Sequence, residues 1–433
     1  MADVSGAVGI HFYDEKNISD LKWPDTEYGQ YARNYLLPLL LAPSVEQYIN
    51  NVRTRLLVVT VDGVPLPVTV NDEEYGNSYV CSPYTHFVTY AREELALLGN
   101  RPAEAVLGGL LSGIGSLLRR VHFNRVVQVN NWLVSTNLFP PVSPERLKQL
   151  MQVLQQRYPL HVLICRSLND ATTGPYLTAM REQGCKLIPS RQIYLLHGSG
   201  HQAAALGEAS EAASVDADEG ATGRTSQPSS LQKGNTSAGH TLSLPPVPAK
   251  ARWLVKRDRA LIAKQGYVVC GPEDMCPEDA ARIKELYDML YIDKYSACNP
   301  QLNESFIHAA IVTGTLELHG LRKNGRLDAI LGFFARDGVM TAPLFGYDTS
   351  QPQKLGLYRM LSAVLIGIAA ERSLLLHESS GVGQFKRNRG AVAELEVMAV
   401  YDKHLSLGVR MCWTLLEKLL HVIGVPIIQR MKL

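Results

Sequence analysis

At 433 residues the chain is too long for one ordinary core, so two or three domains are expected. Hydrophobic residues make up 46% and charged residues 19%, which gives a globular protein ample apolar material to bury. A formal net charge of +2 leaves no bulk basic excess to drive phosphate binding, which argues against a dedicated nucleic-acid binder and leaves room only for a local basic patch.

The seven cysteines (Cys81, Cys165, Cys185, Cys270, Cys276, Cys298 and Cys412) are scattered, odd in number and free of any close C-x-x-C pair. That is the pattern of reduced thiols in a cytoplasmic protein, not of a disulfide framework or a metal site. Residues 1–17 carry neither a basic n-region nor an apolar h-region, so no signal peptide is expected. No apolar run reaches the length of a membrane span, and Leu36 to Leu41 reads as one side of a buried helix.

In chain order, 56–70 (LLVVTVDGVPLPVTV) reads as two strands around the Asp62-Gly63 turn. A third strand is expected at 78–90 and a helix at 102–121, the latter weakened by Gly108, Gly109, Gly113 and Gly115. A strand at 125–134, a helix at 144–157, a strand at 160–168, a helix at 175–184 and a strand at 186–196 complete the first half. The segment 201–250 is rich in Ser, Ala, Gly, Thr and Asp, cannot bury enough surface to offset the entropy of ordering, and is expected to be a disordered linker.

After it, 252–269 is a basic helix-like segment leading into a short β run, followed by helices at 279–295 and 304–313. Three strands at 314–323, 326–336 and 339–347 are joined by Asn324-Gly325 and Asp337-Gly338, both tight-turn signals. Helix 356–373, strand 374–380, the glycine- and cation-rich stretch 381–390, strand 392–402 and helix 407–424 close the chain. A meander followed by alternating helix and strand makes a mixed sheet with helices on its faces, an α/β architecture of two similar halves, 1–200 and 251–433.

This element order, repeated twice, resembles the GNAT acyltransferase fold in the tandem arrangement of the Fem-type aminoacyl and peptidyl transferases. The residues that carry the likeness are 252–269 and the run Gly383-Gln384-Phe385-Lys386-Arg387-Asn388-Arg389-Gly390, which is similar to that family's lysine-bearing motif. GNAT enzymes hold the pantetheine pyrophosphate with Q/R-x-x-G-x-G/A, whose backbone N–H groups and helix N-terminus face the phosphates. The matching place here reads Gln353-Lys354-Leu355-Gly356-Leu357-Tyr358, with Tyr358 where a small residue is usual. The resemblance implies an acyltransferase using acyl-CoA or a phosphopantetheine thioester as donor substrate and no permanently bound cofactor. Tyr358 crowds the phosphate approach, which favours an acyl carrier protein or an aminoacyl-tRNA over free coenzyme A.

The candidate chemistry gathers near the end of strand 374–380. Lys386, with Arg387 and Arg389, lies where an open α/β sheet places its ligand crevice, and a lysine there stabilises the oxyanion formed when an amine attacks a thioester or ester. His377 and Glu378 are candidates for the base that takes the proton from the attacking ammonium; strand alternation lets only one of them face the crevice. Glu394 and Glu396 share one face of the next strand and supply a further carboxylate. His319, Tyr347 and Tyr401 are weaker candidates, and Asn130, Asn131, Trp132, Arg166, Ser167 and Asn169 form polar strand ends that suit either an acceptor pocket or turns and helix caps. The expected reaction is transfer of an acyl group to an amine-bearing small molecule or peptide by direct attack. A binding protein that has lost its donor loop, and a tRNA-dependent aminoacyl transferase using the basic residues of 252–259, are the other readings.

Overall fold

The structure, a computed structural model, describes residues 8–95, 101–201 and 245–426. The elements run β1 (Ile10–Tyr13), α1 (Glu27–Leu41), β2 (Arg55–Val61), β3 (Val64–Asn71), α2 (Tyr90–Glu94), α3 (Arg101–Arg120), β4 (Val126–Val129), α4 (Pro144–Arg157), β5 (Val162–Leu168), α5 (Asp170–Gln183) and β6 (Lys186–His197). They continue as α6 (Ala249–Lys264), β7 (Val268–Cys270), α7 (Ala280–Leu290), α8 (Glu304–Thr313), β8 (Glu317–Lys323), β9 (Arg326–Arg336), β10 (Val339–Tyr347), α9 (Leu357–Glu371), β11 (Leu375–His377), α10 (Gly383–Asn388), β12 (Val392–Tyr401) and α11 (Leu407–Leu419).

All twelve strands belong to one sheet, in the order β1-β2-β3-β4-β5-β12-β6-β11-β10-β9-β8-β7. From its centre outward the order reads β12-β5-β4-β3-β2-β1 on one side and β6-β11-β10-β9-β8-β7 on the other. Each half meanders antiparallel, makes one parallel pair (β4 with β5, β10 with β11) around a crossover helix, and gives its last strand to the other half. Thus β12 pairs with β5, and β6 pairs with β11. The internal repeat read from element order is therefore present, and the two halves are interlocked: they cannot part without breaking ladder hydrogen bonds. Their contact is also apolar, since one core cluster takes Tyr35, Leu36 and Trp132 from the first half and Ile307, Phe306 and Phe334 from the second.

Local chemistry explains where the elements depart from their expected bounds. The expected strand at 78–90 is helical instead: Ser82 accepts from the Thr85 N–H at 2.9 Å and Pro83 follows it, a helix start that outweighs the β-rich composition, and a π-helical turn at Thr85–Thr89 runs into α2. β4 stops at Val129, because Asn130 turns to φ 57°, a conformation asparagine tolerates and a β-branched residue does not. β11 ends at His377, short of residue 380, and the stretch expected as a loop contains the short helix α10. The helices expected at 279–295 and 407–424 each end in a π-helical turn, at Tyr291–Tyr295 and Leu420–Gly424. Most of the expected linker lies outside the described residues; of its flanks, His201 is buried and Val247 packs in the core.

Two glycines position the second half. A Cβ on Gly346 would sit 2.5 Å from the Leu286 carbonyl carbon, so only glycine lets α7 lie directly on β10. Gly356 adopts φ 81° and begins α9.

Candidate functional site

The parallel pair β10–β11 is short. It is paired only from Val339 to Thr341, opposite Leu375 to His377, after which β10 is bulged and continues to Tyr347 while β11 leaves the sheet. The two strands thus part at the carboxyl end of a parallel pair, the place where open α/β sheets have their ligand crevice. In the first half the corresponding opening after β4 is filled: Trp132 is buried, its Nε1–H donates to Asn130 Oδ1 at 2.7 Å, and Asn137 Oδ1 accepts from its backbone N–H at 2.9 Å. Asn169 caps α5 by accepting from Thr172 N–H at 2.7 Å. The polar strand ends of the first half thus serve turns and caps, with Arg166 as the exception.

In the second half the loop 378–382 borders the crevice and is held in unusual conformations. Ser379 has φ 58° and Val382 φ 44°; a β-branched residue in the left-handed region is strained. Lys386 restrains this loop. Its buried ammonium donates to the carbonyls of Glu378 at 2.6 Å, Ser380 at 2.9 Å and Ser379 at 3.4 Å, which occupies all three protons. Burial pushes the ammonium downward in pKa, opposed by the neighbouring Glu378 carboxylate. Burial pushes the Glu378 carboxyl upward, and its Oε2 is buried with no hydrogen-bond partner.

His377 is buried on the adjoining residue. Its Nδ1 accepts from the Ser379 N–H at 3.2 Å, which places its proton on Nε2, and Nε2 has no hydrogen-bond partner. The nearest carboxylate oxygen, Oε2 of Glu396, is 3.8 Å away. Burial pushes the imidazole down to about 4, against the pull of Glu396.

Glu396 in turn belongs to Arg191. The guanidinium grips it in bidentate fashion, Nε to Oε1 at 2.8 Å and Nη2 to Oε2 at 3.2 Å. It also donates to Ser379 Oγ at 2.9 Å, Thr136 Oγ1 at 3.0 Å and the Ser135 carbonyl at 2.7 Å. Arg166 lies beside this cluster, buried, with carbonyl and amide oxygens as its hydrogen-bond acceptors (Val80 O at 3.1 Å, Asn131 Oδ1 at 3.3 Å). His86 meets Ser190 Oγ at 3.2 Å, and burial together with Arg166 and Arg191 pushes its imidazole down to about 3. His377, Glu378, Lys386 and Glu396 are therefore brought together, along with Arg191, which sequence reading missed. The exchange of β6 and β12 puts Arg191 opposite Glu396, and no local pattern in 186–196 announces it. Glu394 stands apart, half-buried, its carboxyl pushed up by burial and by Asp170.

The other candidate side chains have partners within the chain. Arg389 lies 3.3 Å over the Phe385 ring and donates to Asp258 Oδ2 at 2.9 Å, while Arg359 donates to Asp258 Oδ1 at 2.8 Å. Arg387 donates to the Tyr194 hydroxyl at 2.7 Å. His319 pairs with Glu317 at 3.0 Å.

Gln353, Lys354 and Gly356 lead into the N-terminus of α9, whose first backbone N–H groups have no helical partner. The Tyr358 ring packs against Phe345 and Tyr347 of β10 and Phe385 of α10 at centroid distances of 5.5, 6.1 and 4.9 Å. Burial holds its hydroxyl well above the usual phenol range. Among the described residues, no group of three or more His, Cys, Asp and Glu could hold a metal ion.

The buried neutral His377 has a consequence for stability. Between pH 6.5 and about 4 the unfolded chain takes up a proton on this residue that the folded chain refuses, so stability falls with pH across that window. His377→Gln is expected to remove about 3 kcal/mol of the acid loss between pH 7 and pH 4, measured by urea titration at each pH.

No protein-family model matches the chain, and no curated protein matches it either. Solved structures with a similar fold include L-PGS from Bacillus licheniformis (TM-score 0.40, 13% identity, covering 63% of this chain and 78% of that one). FemX is similar at TM-score 0.39 and 7% identity, over 60% of this chain and 77% of that one. A GCN5-related N-acetyltransferase from Kribbella flavida is similar at TM-score 0.31 and 13% identity, over 64% of this chain and 81% of that one.

Proposed function

We propose that the chain is an N-acyltransferase working by direct attack of an amine on an activated acyl group in the crevice between β10 and the loop 378–382. The observation that carries this is Glu378, a carboxyl raised by burial whose Oε2 is buried without a partner at the mouth of a parallel strand pair. A carboxylate tuned upward is matched to taking a proton near neutral pH. The acceptor ammonium first gives one proton to Glu378, which passes it to solvent; the freed amine nitrogen bonds to the acyl carbon, the C–S or C–O bond to the donor breaks, and the second N–H proton, shed as the amide forms, passes through Glu378 to the leaving sulfur or oxygen. The unpartnered Nε2–H of His377 offers a hydrogen bond within the same cluster. Because its protons are committed to carbonyls, Lys386 acts as a positioning residue, fixing Glu378 and placing a positive charge beside it.

The donor is an acyl group on a phosphopantetheine thiol or on tRNA. Tyr358, the second residue of α9, stands where the pyrophosphate loop of GNAT enzymes has a small residue, which favours a donor presented by a macromolecule. One surface supports the tRNA-borne alternative. Helix α6 exposes Lys256, Arg257 and Lys264, with Arg257 stacked 4.8 Å over the exposed Trp253, a combination of cations and a stacking ring suited to a nucleic-acid strand.

Thermal-shift and intact-mass measurements against coenzyme A, acyl-CoA, an acyl-loaded carrier protein and aminoacyl-tRNA test the proposal. Stabilisation by one donor, roughly 2.7 kcal/mol at a hundredfold excess over Kd, followed by acyl transfer to an amine, is the expected result. Silence from every donor would return the chain to the reading of a binding protein that keeps the fold without the reaction.

A further inference from the structure

Helices α3 and α11 pack on one cluster, built around Phe123 and Trp413, whose rings stack at 4.1 Å, with Leu118 of α3 and Cys412 of α11 beside them. Each helix leaves a second apolar ridge uncovered. On α3 it is Val106, Leu110 and Leu117; on α11 it is Leu407, Met411 and Leu415, spaced four residues apart. All six are 46% to 72% exposed, so two helices that pack on one core cluster present large apolar side chains to solvent.

The exposed charged residues of these two helices have one sign. From Ala105 to Leu118 helix α3 carries no charged residue, and Arg101 and Arg120, at its two ends, are exposed. Exposed Arg410 and Lys418 flank the ridge of α11. The acidic residues of these two helices, Glu104 and Glu417, are half-buried, and Glu417 accepts from the Leu187 N–H at 3.0 Å. Among the described residues, Gly108, Gly109 and Gly113 have nothing within 4 Å of an added Cβ, so no tight contact there accounts for them. An apolar face rimmed by cations is the composition of a helix that lies in a lipid interface. A second copy of the chain fits less well, because twofold pairing of this face would bring the four cations against like charges.

We infer that α3 and α11 together form a docking face for an anionic lipid surface, on which the protein lies without spanning it. No helix among the described residues is long and apolar enough to cross a membrane, so the attachment is peripheral. The inference is independent of the proposed reaction. It is tested by co-sedimentation of the full chain with vesicles of phosphatidylglycerol and phosphatidylcholine in equal parts, and with phosphatidylcholine alone. Leu110→Glu combined with Leu415→Glu alters exposed positions only, so its melting temperature should match the unsubstituted chain. The expected result is binding to the anionic vesicles that weakens about tenfold or more in the variant and in high salt. Failure of the unsubstituted chain to bind these vesicles, or undiminished binding by the variant, overturns the inference. A concentration-dependent dimer that the variant dissociates, without vesicle binding, also overturns it and gives the face to a second copy.

Discussion

Glu378→Gln is expected to lower acyl transfer by roughly 10²- to 10⁴-fold while leaving the chain folded. The amide is nearly isosteric and keeps an oxygen where Oε2 now lies, so packing near Tyr358 is preserved, but it cannot take a proton. The stability response distinguishes this from a structural loss. A carboxyl raised in the folded state favours folding below its ordinary value and opposes it as pH rises and the group must ionise in a buried place. Replacing it removes that opposition, so the variant should be as stable as the parent at pH 5 and at least as stable at pH 8. The parent's rate should rise with pH as Glu378 ionises, while the variant's residual rate stays flat across the same range. A variant that keeps parental turnover would take the base away from Glu378; one that loses turnover only because it unfolds would show as a lowered melting temperature at both pH values.

What the sequence made legible follows from the range of the interactions involved. The turns at Asp62-Gly63, Asn324-Gly325 and Asp337-Gly338 were readable because two residues determine them, and all three close hairpins, with a positive φ at every one of the six residues. Helix α8 was readable to its bounds because Asn303 caps it, accepting from Phe306 N–H at 3.2 Å, and Gly314 ends it in the left-handed conformation. His377, Glu378 and Lys386 could be picked out because they lie within ten residues of one another around a glycine-rich stretch. Arg191 could not. Its partner Glu396 is 205 residues away, and the two meet because each half lends a strand to the other. The same exchange joins the strands of both halves into one sheet. Tyr358 shows a different limit: its departure from the phosphate-loop pattern was visible, but where its ring packs depends on Phe345 and Tyr347 of β10 and Phe385 of α10.

The Arg191–Glu396 pair offers a way to separate what holds the halves together from what the site does. Glu396 is 2% exposed, so Arg191→Met strands a buried carboxylate and is expected to cost about 3–5 kcal/mol in urea unfolding. Adding Glu396→Met removes the stranded charge and replaces the pair with apolar volume in the middle of the sheet, and most of that loss should return. Activity should not return with it. Arg191 also donates to Ser379 Oγ and to the 135–136 segment, and Ser379 adjoins Glu378 and supplies the N–H that fixes the His377 ring. The double variant is thus expected to be folded and nearly inactive, with the loss in kcat and not in KM alone, because the bound substrate meets a base that is no longer held in place. If the single variant costs less than about 1 kcal/mol, the pair behaves like an exposed ion pair and the interlocked strands hold the halves without it. If the double variant regains both stability and turnover, Arg191 serves the sheet alone, and the restraint of the 378–382 loop falls to Lys386.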